Sequence, residues 1–177
     1  MTKDLIEAIE ERRSIRHFKP DPIPEPTLSR IIGCGLMAPS AGNIQPWRFY
    51  AVKSPEVKAA LAQAAYGQEF VAAAPVVIVV AAEPRRSAAR YGKRGSELYC
   101  LQDTAAAVEN MLLTVVAYGL GACWVGAFDE QAASQALGLP GDLRPVAMVP
   151  IGYPKEGLPA RRQRPQRPWD ETVVVVE

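Results

Sequence analysis

The sequence contains few of the side chains that usually perform catalysis. His17 is its one histidine, and no Ser-His-Asp or Cys-His arrangement can be assembled around it. No cluster of histidines, cysteines and carboxylates has the spacing of a metal site. We therefore expect no catalytic side chain and no bound metal. A protein of this kind is either not an enzyme or draws its reactivity from a bound cofactor.

Cysteine, net charge and long apolar runs are also scarce. The three cysteines form no C-x-x-C pair and are odd in number, which argues against a disulfide framework or a structural zinc site and predicts a cytoplasmic protein. A net charge of +1 gives no support for a nucleic acid or a membrane as partner. The longest apolar stretch, residues 105–128, is interrupted by charged and glycine residues, so it predicts a buried helix and a strand rather than a membrane span.

Helical and strand patterns alternate along the whole chain, so we expect a single domain over residues 1–177. Helices are predicted to begin at Thr2, Thr27, Pro55, Ser96 and Asp129. Strands are predicted over residues 47–52, 75–81, 122–128, 146–152 and 173–176. The β-branched run 75–81 is typical of a central strand that is buried on both faces. Residues 83–95 are predicted to be a mobile polar excursion, and residues 153–168 a linker.

Two basic clusters are candidates for binding a phosphate. Arg12, Arg13, Ser14 and Arg16 follow the first predicted helix, and guanidinium and hydroxyl groups can hold a phosphate through charge-assisted hydrogen bonds. Basic residues are also common at helix C-termini because of the helix dipole, so this stretch alone does not distinguish a phosphate site from an ordinary helix end. The second cluster, in residues 161–167, can equally be a solvated linker.

Small residues dominate two further segments. In the loop after the second helix, Ser40 and Asn43 offer short polar groups, while Gly42 allows a ligand to approach the backbone closely. The same composition is common in a plain turn. Residues 124–127 have a small-residue strand end whose N–H groups can face an aromatic ring system, or they are only a core strand.

Four motifs of this sequence resemble motifs of the nitroreductase family and occur in the same order, and the similarity spans nearly the whole chain. Residues 12–18 are similar to its R-R-S-x-R-x-F opening, and residues 38–47 to its A-P-S-x-x-N-x-Q-P-W loop. Residues 119–128 are similar to its G-L-G-x-x-W-I-G-x-F strand, and residues 151–154, followed by arginines, to its end. The resemblance implies an α+β fold, a three-layer sandwich with a central, mostly antiparallel sheet and flanking helices. It also implies a homodimer that exchanges its C-terminal strand and holds two FMN molecules at the interface.

The resemblance also implies which residues bind FMN. The ribityl phosphate is assigned to Arg12, Arg13, Ser14 and Arg16, and the flavin is contacted from the other subunit by Pro39, Ser40 and Asn43. Gln68 is assigned to the polar edge of the isoalloxazine, and the backbone of Val125, Gly126 and Ala127 to its reactive nitrogen. Arg164 and Arg167 are expected to complete the phosphate site, with Arg162 as the alternative by spacing.

By the same resemblance, a hydride passes from NADH or NADPH to FMN and then to a nitroaromatic, a quinone or a related small acceptor by a ping-pong mechanism. Alternatives are a dehalogenase or a flavin-cleaving enzyme on the same scaffold, and a flavin-free protein that contacts nucleic acid. Residues 85–95 are expected to lie over the site and select the acceptor or the nicotinamide phosphate. Their arginines favour NADPH, unless the segment is simply solvated; these are Arg85, Arg86, Arg90 and Arg94.

Overall fold

One sheet of four antiparallel strands forms the centre of the structure. The computed structural model describes residues 2–156 and 166–177. The strands lie in the order β1-β2-β4-β3, and their bounds are Trp47–Val52 for β1, Val76–Ala82 for β2, Gly121–Ala122 for β3 and Arg144–Gly152 for β4. Every residue of β2 is buried, which confirms the prediction of a central strand with two covered faces.

Helices cover both faces of this sheet. On one face, Ile78 and its even-numbered neighbours in β2 contact the core that α2 (Glu25–Leu36) and α6 (Cys100–Ala117) contribute. On the other face, Val77 and Val79 contact the core from α3 (Pro55–Ala64), α4 (Phe70–Ala73) and α7 (Glu130–Leu137). Because side chains alternate along a strand, β2 supplies both cores at once. The predicted three-layer α+β sandwich is therefore confirmed.

Two further helices frame these layers, and both differ from the sequence prediction. Helix α1 (Leu5–Glu11) is capped by Asp4, which accepts a hydrogen bond from the Glu7 N–H at 2.9 Å, so the predicted cap at Thr2 is wrong. Residues 83–95, predicted as an irregular excursion, instead form α5 (Pro84–Arg94), which a π-helical turn over Gly95–Tyr99 joins to α6.

Helix α5 was missed because Gly92 and Gly95, which suggest a loop in the sequence, are the residues that allow it to turn and to pack against the next helix. Its backbone turns sharply at Gly92, whose φ is 54°. Before that turn, Ser87 is fully buried against Gly95, and a Cβ on Gly95 would lie 2.5 Å from the Ser87 carbonyl oxygen. The helix and the π-turn therefore fit together only because residue 95 has no side chain.

The ends of two predicted strands also differ from expectation. The strand predicted over residues 122–128 is much shorter, because only Val125 pairs again with β4, opposite Met148, and the next two residues are exposed. At the C-terminus, helix α8 (Trp169–Thr172) precedes residues 173–177, which have no strand partner within the described chain. The exchanged strand requires a second subunit and stays a prediction.

Candidate functional site

The first group of predicted site residues meets at the β3 edge of the sheet. Ser14 forms a parallel bridge with Ala122, and the Ile15 N–H donates to the Ala122 carbonyl at 2.8 Å. On the other side, the Gln68 side chain donates to the Ala127 carbonyl at 3.2 Å. The Arg16 guanidinium lies 5.6 Å from the centre of the Phe70 ring, two residues beyond Gln68. We call Arg12, Ser14, Arg16, Gln68, Gly126 and Ala127 the edge half-site.

The edge half-site presents unused backbone donors. The Val125 N–H is already bound to the Met148 carbonyl at 2.9 Å, so it is not available to a ligand. Gly126 and Ala127 are exposed, and their N–H groups donate to no residue in the ranges 2–156 and 166–177. Among the three predicted backbone contacts, these two N–H groups are therefore the ones open to a ligand.

The arginines at this edge differ in their partners. Arg12 lies 3.4 Å from the Glu109 carboxylate on α6, and both side chains are half-exposed. Arg16 is exposed and makes no ion pair with any described carboxylate. Arg13 lines a cavity on the side of the buried Ile15, away from the exposed Ser14. Arg16 and Ser14 are thus the donors most open to a phosphate.

The second group of predicted residues lies in the loop of residues 38–45, which we call the loop half-site. The Ser40 hydroxyl accepts the Gln45 N–H at 3.0 Å, and the Asn43 side-chain oxygen accepts the Gln45 side-chain amide at 3.0 Å. Gly42, Asn43 and Gln45 have φ values of 56°, 55° and 53°. A left-handed backbone at two residues that are not glycine is uncommon and is typical of functional loops.

Asp103, which the sequence analysis did not select, supports the loop half-site. Its Oδ1 accepts the Ala41 N–H at 3.1 Å, whereas its Oδ2 is buried with no hydrogen-bond partner among the described residues. The side chain is 7% exposed. Burial raises the pKa of this carboxyl because the charged form loses its hydration, and the Ala41 hydrogen bond partly opposes that change. The sequence signal that could have identified Asp103 is a carboxylate near the start of a mostly apolar helix.

Helix α5 also holds this loop. Arg86 donates to the Ile44 carbonyl at 2.8 Å, and Arg90 donates to the Gly42 carbonyl at 3.4 Å. A Cβ on Gly42 would lie 2.5 Å from the Tyr91 hydroxyl. Helix α5 therefore lies against the loop half-site, and its place over a bound flavin stays a prediction.

The two half-sites are anchored on different faces of α6. Asp103 supports the loop half-site, and Glu109 faces Arg12 of the edge half-site. Six helical residues separate them, which is about 9 Å along the axis and about 120° around it. No described hydrogen bond, ion pair or ring contact joins the loop half-site to the edge half-site. One chain therefore presents two separate parts of the predicted site.

The last predicted phosphate ligands are only partly described. Arg164 and the alternative Arg162 lie outside the described residues. Arg167 is exposed, and its Nη2 lies 3.5 Å from the Glu171 carboxylate one helical turn away. None of its described contacts reaches the edge half-site.

An apolar groove of about 520 Å³ runs between α1, α2 and α6. Leu5 and Met37 line it and are 63% and 76% exposed, and Leu113 and Ala117 contribute from α6. Neighbouring Ile6 is 62% exposed. Large apolar side chains that are exposed next to one another are more common at interaction surfaces than elsewhere on a folded chain. No helix in the described part of the chain is long and apolar enough to cross a membrane.

Comparisons with known proteins agree with the architecture. The model of the nitroreductase family matches residues 9–68 and 62–153. An NADH dehydrogenase of Thermus thermophilus is 36% identical, and the alignment covers 86% of this chain and 88% of the relative. A 5,6-dimethylbenzimidazole synthase of Rhodospirillum rubrum is 30% identical, and the alignment covers 84% of this chain and 81% of the relative.

A solved structure extends the similarity to three dimensions. The NADPH:FMN oxidoreductase from Vibrio harveyi, complexed with NAD+, superposes with a TM-score of 0.86 at 26% identity, covering 99% of this chain and 78% of that chain. The family model spans most of the sequence. The sequence identity with the Thermus relative is high enough, over most of both chains, that the two proteins share a fold. This chain belongs to the nitroreductase family.

Proposed function

We propose that this protein is an FMN-dependent oxidoreductase that uses NADH or NADPH to reduce a nitroaromatic, a quinone or a related small molecule. Family membership supports an oxidoreductase, and the edge half-site supports the flavin. The observation that carries the proposal is the donor set there: within the described residues, the Ser14 hydroxyl has no hydrogen-bond partner, Arg16 has no carboxylate partner, and the Gly126 and Ala127 N–H groups donate to no residue. FMN, when bound, supplies the hydride acceptor and donor that the side chains of the chain lack.

The residues of the edge half-site fit the two chemically different ends of FMN. Arg12 and Arg16 supply positive charge and hydrogen-bond donors, and the Ser14 hydroxyl can donate as well, which suits a phosphate. Arg13, Arg164 and Arg167 are proposed to add positive charge around it. The Gln68 Nε2 donates to the Ala65 and Ala127 carbonyls, so its Oε1 remains to accept a hydrogen bond from a ring imide. The Gly126 and Ala127 N–H groups can then stabilise negative charge that develops on a ring nitrogen.

The chain is proposed to act as a homodimer in which each FMN is held by two subunits. The loop half-site, with Pro39, Ser40 and Asn43, is proposed to contact the flavin that the edge half-site of a second copy holds. Two observations support this: the half-sites leave α6 on different faces, and the groove beside α6 leaves large apolar side chains exposed. A second copy would cover this surface and bring unlike half-sites together.

An absorbance spectrum of the purified protein is the direct test. We expect flavin bands that bleach when NADPH or NADH is added without oxygen and return when a quinone is added. A protein that remains colourless after incubation with FMN would contradict the proposal. Bands that neither nucleotide bleaches would separate flavin binding from the proposed reductant.

A charge-matched pair of variants tests the phosphate assignment. We expect Arg12→Ala with Arg16→Ala to weaken FMN binding at least about tenfold, because hydrogen bonds to charged groups contribute about 1.5–3 kcal/mol each. The control, Arg48→Ala with Lys53→Ala, removes the same charge from β1 and the residue after it, where both cations are exposed and already form ion pairs. Flavin fluorescence titration should show unchanged FMN affinity for the control. Equal loss in both variants would indicate a general effect of charge.

The relative from Rhodospirillum rubrum favours a second candidate, a flavin-consuming enzyme on the same scaffold, because it is named a 5,6-dimethylbenzimidazole synthase. Repeated reduction and aeration of the loaded protein distinguishes the two. We expect chromatography of the extracted flavin to recover all FMN after many cycles. Loss of FMN with formation of a benzimidazole would establish the alternative.

A further inference from the structure

Tyr66 has a backbone conformation that disfavours its own side chain. It follows α3 with a φ of 57°, in the left-handed region that glycine adopts without strain. Its N–H donates to the Gln63 carbonyl at 3.0 Å, and the Gly67 N–H donates to the Ala62 carbonyl at 3.0 Å, which is the Schellman pattern of a helix C-terminus. Glycine is the usual residue at the left-handed position of this pattern, and a bulky residue there is strained. What tyrosine contributes at this position must therefore come from its ring.

The Tyr66 ring lies outside the core. The residue is 72% exposed, and within the described chain its side chain makes no hydrogen bond and no ring contact. Two other residues with a left-handed backbone, Asn43 and Gln45, belong to the loop half-site. Strained backbone of this kind is concentrated at sites that bind ligands. The strain and the exposure together indicate that the Tyr66 ring serves a ligand rather than the fold.

Tyr66 lies at one end of a groove of about 540 Å³ between α3 and α7. Asp129, the cap of α7, lies at the same end, because its N–H donates to the Ala64 carbonyl at the end of α3 at 2.8 Å. Alanines and glutamines of the two helices form the rest of the lining. Of the described residues that line the groove, only Asp129 is charged. The groove is therefore mostly neutral and carries one negative charge at the end where Tyr66 lies.

This end of the groove adjoins the edge half-site. Tyr66 stands two residues before Gln68, and Asp129 stands two residues after Ala127. The Gln68 side chain donates to the Ala127 carbonyl at 3.2 Å, so these two segments meet. Successive Cα atoms are about 3.8 Å apart, so the Cα atoms of Tyr66 and Gln68 are separated by at most about 7.6 Å. The groove thus begins beside the part of the half-site that is proposed to hold the flavin ring.

We propose that Tyr66 determines which acceptors this protein reduces, by stacking its ring on a planar aromatic acceptor whose substituent enters the groove. This inference rests on the proposed function, because it takes the edge half-site to hold FMN. Ring stacking favours planar nitroaromatics and quinones over acceptors that have no ring. The Asp129 carboxylate, with no cation in the described lining, favours a neutral or cationic substituent over an anionic one.

Binding without turnover gives the first measurement. Oxidised FMN has no electrons to pass on, so calorimetry on the FMN-loaded protein measures the Kd of the quinone menadione directly. We expect Tyr66→Gly and Tyr66→Asn to raise this Kd about fivefold or more, because both variants lose the stacked ring. Tyr66→Phe, which keeps a ring, should restore most of the affinity. Equal affinity in the wild type and the two variants without a ring would overturn the proposal.

The thermal stability of the same variants separates a role in binding from a role in folding. Glycine and asparagine adopt the left-handed backbone more readily than tyrosine does. The Tm of Tyr66→Gly and of Tyr66→Asn should therefore equal or exceed that of the wild type, although both bind the quinone more weakly. A Tm lower by about 2 °C or more in both variants would show that the ring stabilises the fold, and would overturn the proposal.

Asp129→Asn tests the groove. Asparagine also caps helices, so α7 should keep its first turn while the charge is lost. Para-nitrobenzylamine and para-nitrobenzoate carry the same nitrophenyl ring with opposite charges. We expect the oxidised, FMN-loaded wild type to bind the amine more tightly, and Asp129→Asn to reduce that preference about threefold or more.

Asp21→Asn is the matched control for this measurement. It removes the same charge from an exposed position beside Lys19 and Tyr153, outside the lining of the groove. The control should keep the wild-type preference for the amine. If Asp129→Asn keeps it as well, the substituent does not enter the groove and the proposal is overturned.

Reoxidation of the reduced flavin distinguishes this inference from the proposed function. The flavin is first reduced with dithionite, and stopped-flow absorbance then compares menadione with ferricyanide, which has no ring to stack. We expect Tyr66→Gly and Tyr66→Asn to lower the ratio of the two rate constants, menadione over ferricyanide, about fivefold or more.

Each other result has a definite meaning. If neither oxidant takes electrons from the wild type, the proposed function fails and this inference fails with it. If both oxidants do so and the variants keep the wild-type ratio, the proposed function stands and the role of Tyr66 is refuted. If the variants without a ring instead weaken the dimer in sedimentation and slow both oxidants alike, the ring serves a subunit interface, and the inference is also refuted.

Discussion

Gly42 offers a direct test of whether the loop half-site belongs to the FMN site. Its φ of 56° lies in the left-handed region, and a Cβ there would lie 2.5 Å from the Tyr91 hydroxyl and 2.7 Å from the Arg90 Nη1. Ordinary contacts between heavy atoms lie at about 3.5–4.0 Å. Gly42→Ala should therefore displace the ends of these two side chains by about 1 Å, or displace the loop itself.

The free energy that Gly42→Ala costs the loop conformation has two parts. The left-handed backbone costs an alanine about 1–2 kcal/mol wherever it occurs. At position 42 the displacement also threatens the Arg90 bond to the Gly42 carbonyl, and a hydrogen bond contributes about 1 kcal/mol. These costs fall on the loop conformation that is proposed to contact the flavin. If their sum of about 2–3 kcal/mol falls wholly on the equilibrium between this conformation and others, the apparent Kd for FMN rises about thirtyfold to 160-fold.

Gly138→Ala supplies a matched control. Gly138 ends α7 with a φ of 60°, and no atom lies within 4 Å of its Cβ position. The same substitution there imposes the same backbone strain without a clash and away from both half-sites. Both variants should lower Tm by about 2–4 °C for each kcal/mol. Only Gly42→Ala should weaken FMN binding, as measured by fluorescence titration at a temperature where both variants are folded.

Two results would refute this reasoning. If Gly42→Ala binds FMN within twofold of the wild type although its Tm falls, the loop half-site does not contribute to the FMN site. If Gly138→Ala weakens FMN binding to the same extent, the effect follows from general destabilisation rather than from the loop.

Two further changes test the support of the loop and the proposed dimer. The pKa of Asp103 is raised in the folded state, so the folded protein binds this proton more tightly than the unfolded chain, and the associated stability is lost as pH rises from about 4 through the folded pKa. Asp103→Asn cannot ionise, so urea unfolding should show it gaining stability relative to the wild type across that rise, and a difference independent of pH would contradict the assignment. Removal of residues 172–177 should raise the dimer dissociation constant at least tenfold, because burying a valine contributes about 1.5 kcal/mol and Val174, Val175 and Val176 are exposed in the single chain. An unchanged sedimentation profile would argue against strand exchange.

Much of the fold was predictable because its signals are local. Helix α3 begins where Ser54 and Pro55 provide a cap and a first residue suited to a helix, and Ser54 accepts the Val57 N–H. Helix α7 begins at a cap by Asp129 and ends at the left-handed Gly138. The β-branched run of β2 needs both faces covered, which required helices on two sides of the sheet. Each of these features depends on neighbours in sequence.

The parts that sequence reasoning missed depend on residues far apart. Helix α5 is rich in arginine and interrupted by glycine, which is typical of a polar loop, but Arg86 donates to the Ile44 carbonyl, 42 positions earlier in the chain. Asp103 is bonded to Ala41, 62 positions earlier in the chain. No periodicity encodes such a pair, so the anchors of the candidate site became visible only when the chain was folded. The motif residues could be predicted from the sequence, but the residues that hold them in place could not.

The apolar sequence pattern of helix α6 allowed two interpretations. An apolar surface on nearly all sides predicts a helix in the core or in a subunit interface. In the structure Val108, Met111 and Val115 are buried against the sheet, which confirms the place in the core. Leu113 lines the exposed groove, and the interface stays a proposal. The two carboxylates of the helix, Asp103 and Glu109, interrupt that apolar surface where each half-site is held. A helix that contributes to the core, to the proposed interface and to both half-sites couples them, so cofactor binding and dimerisation should depend on each other by linkage.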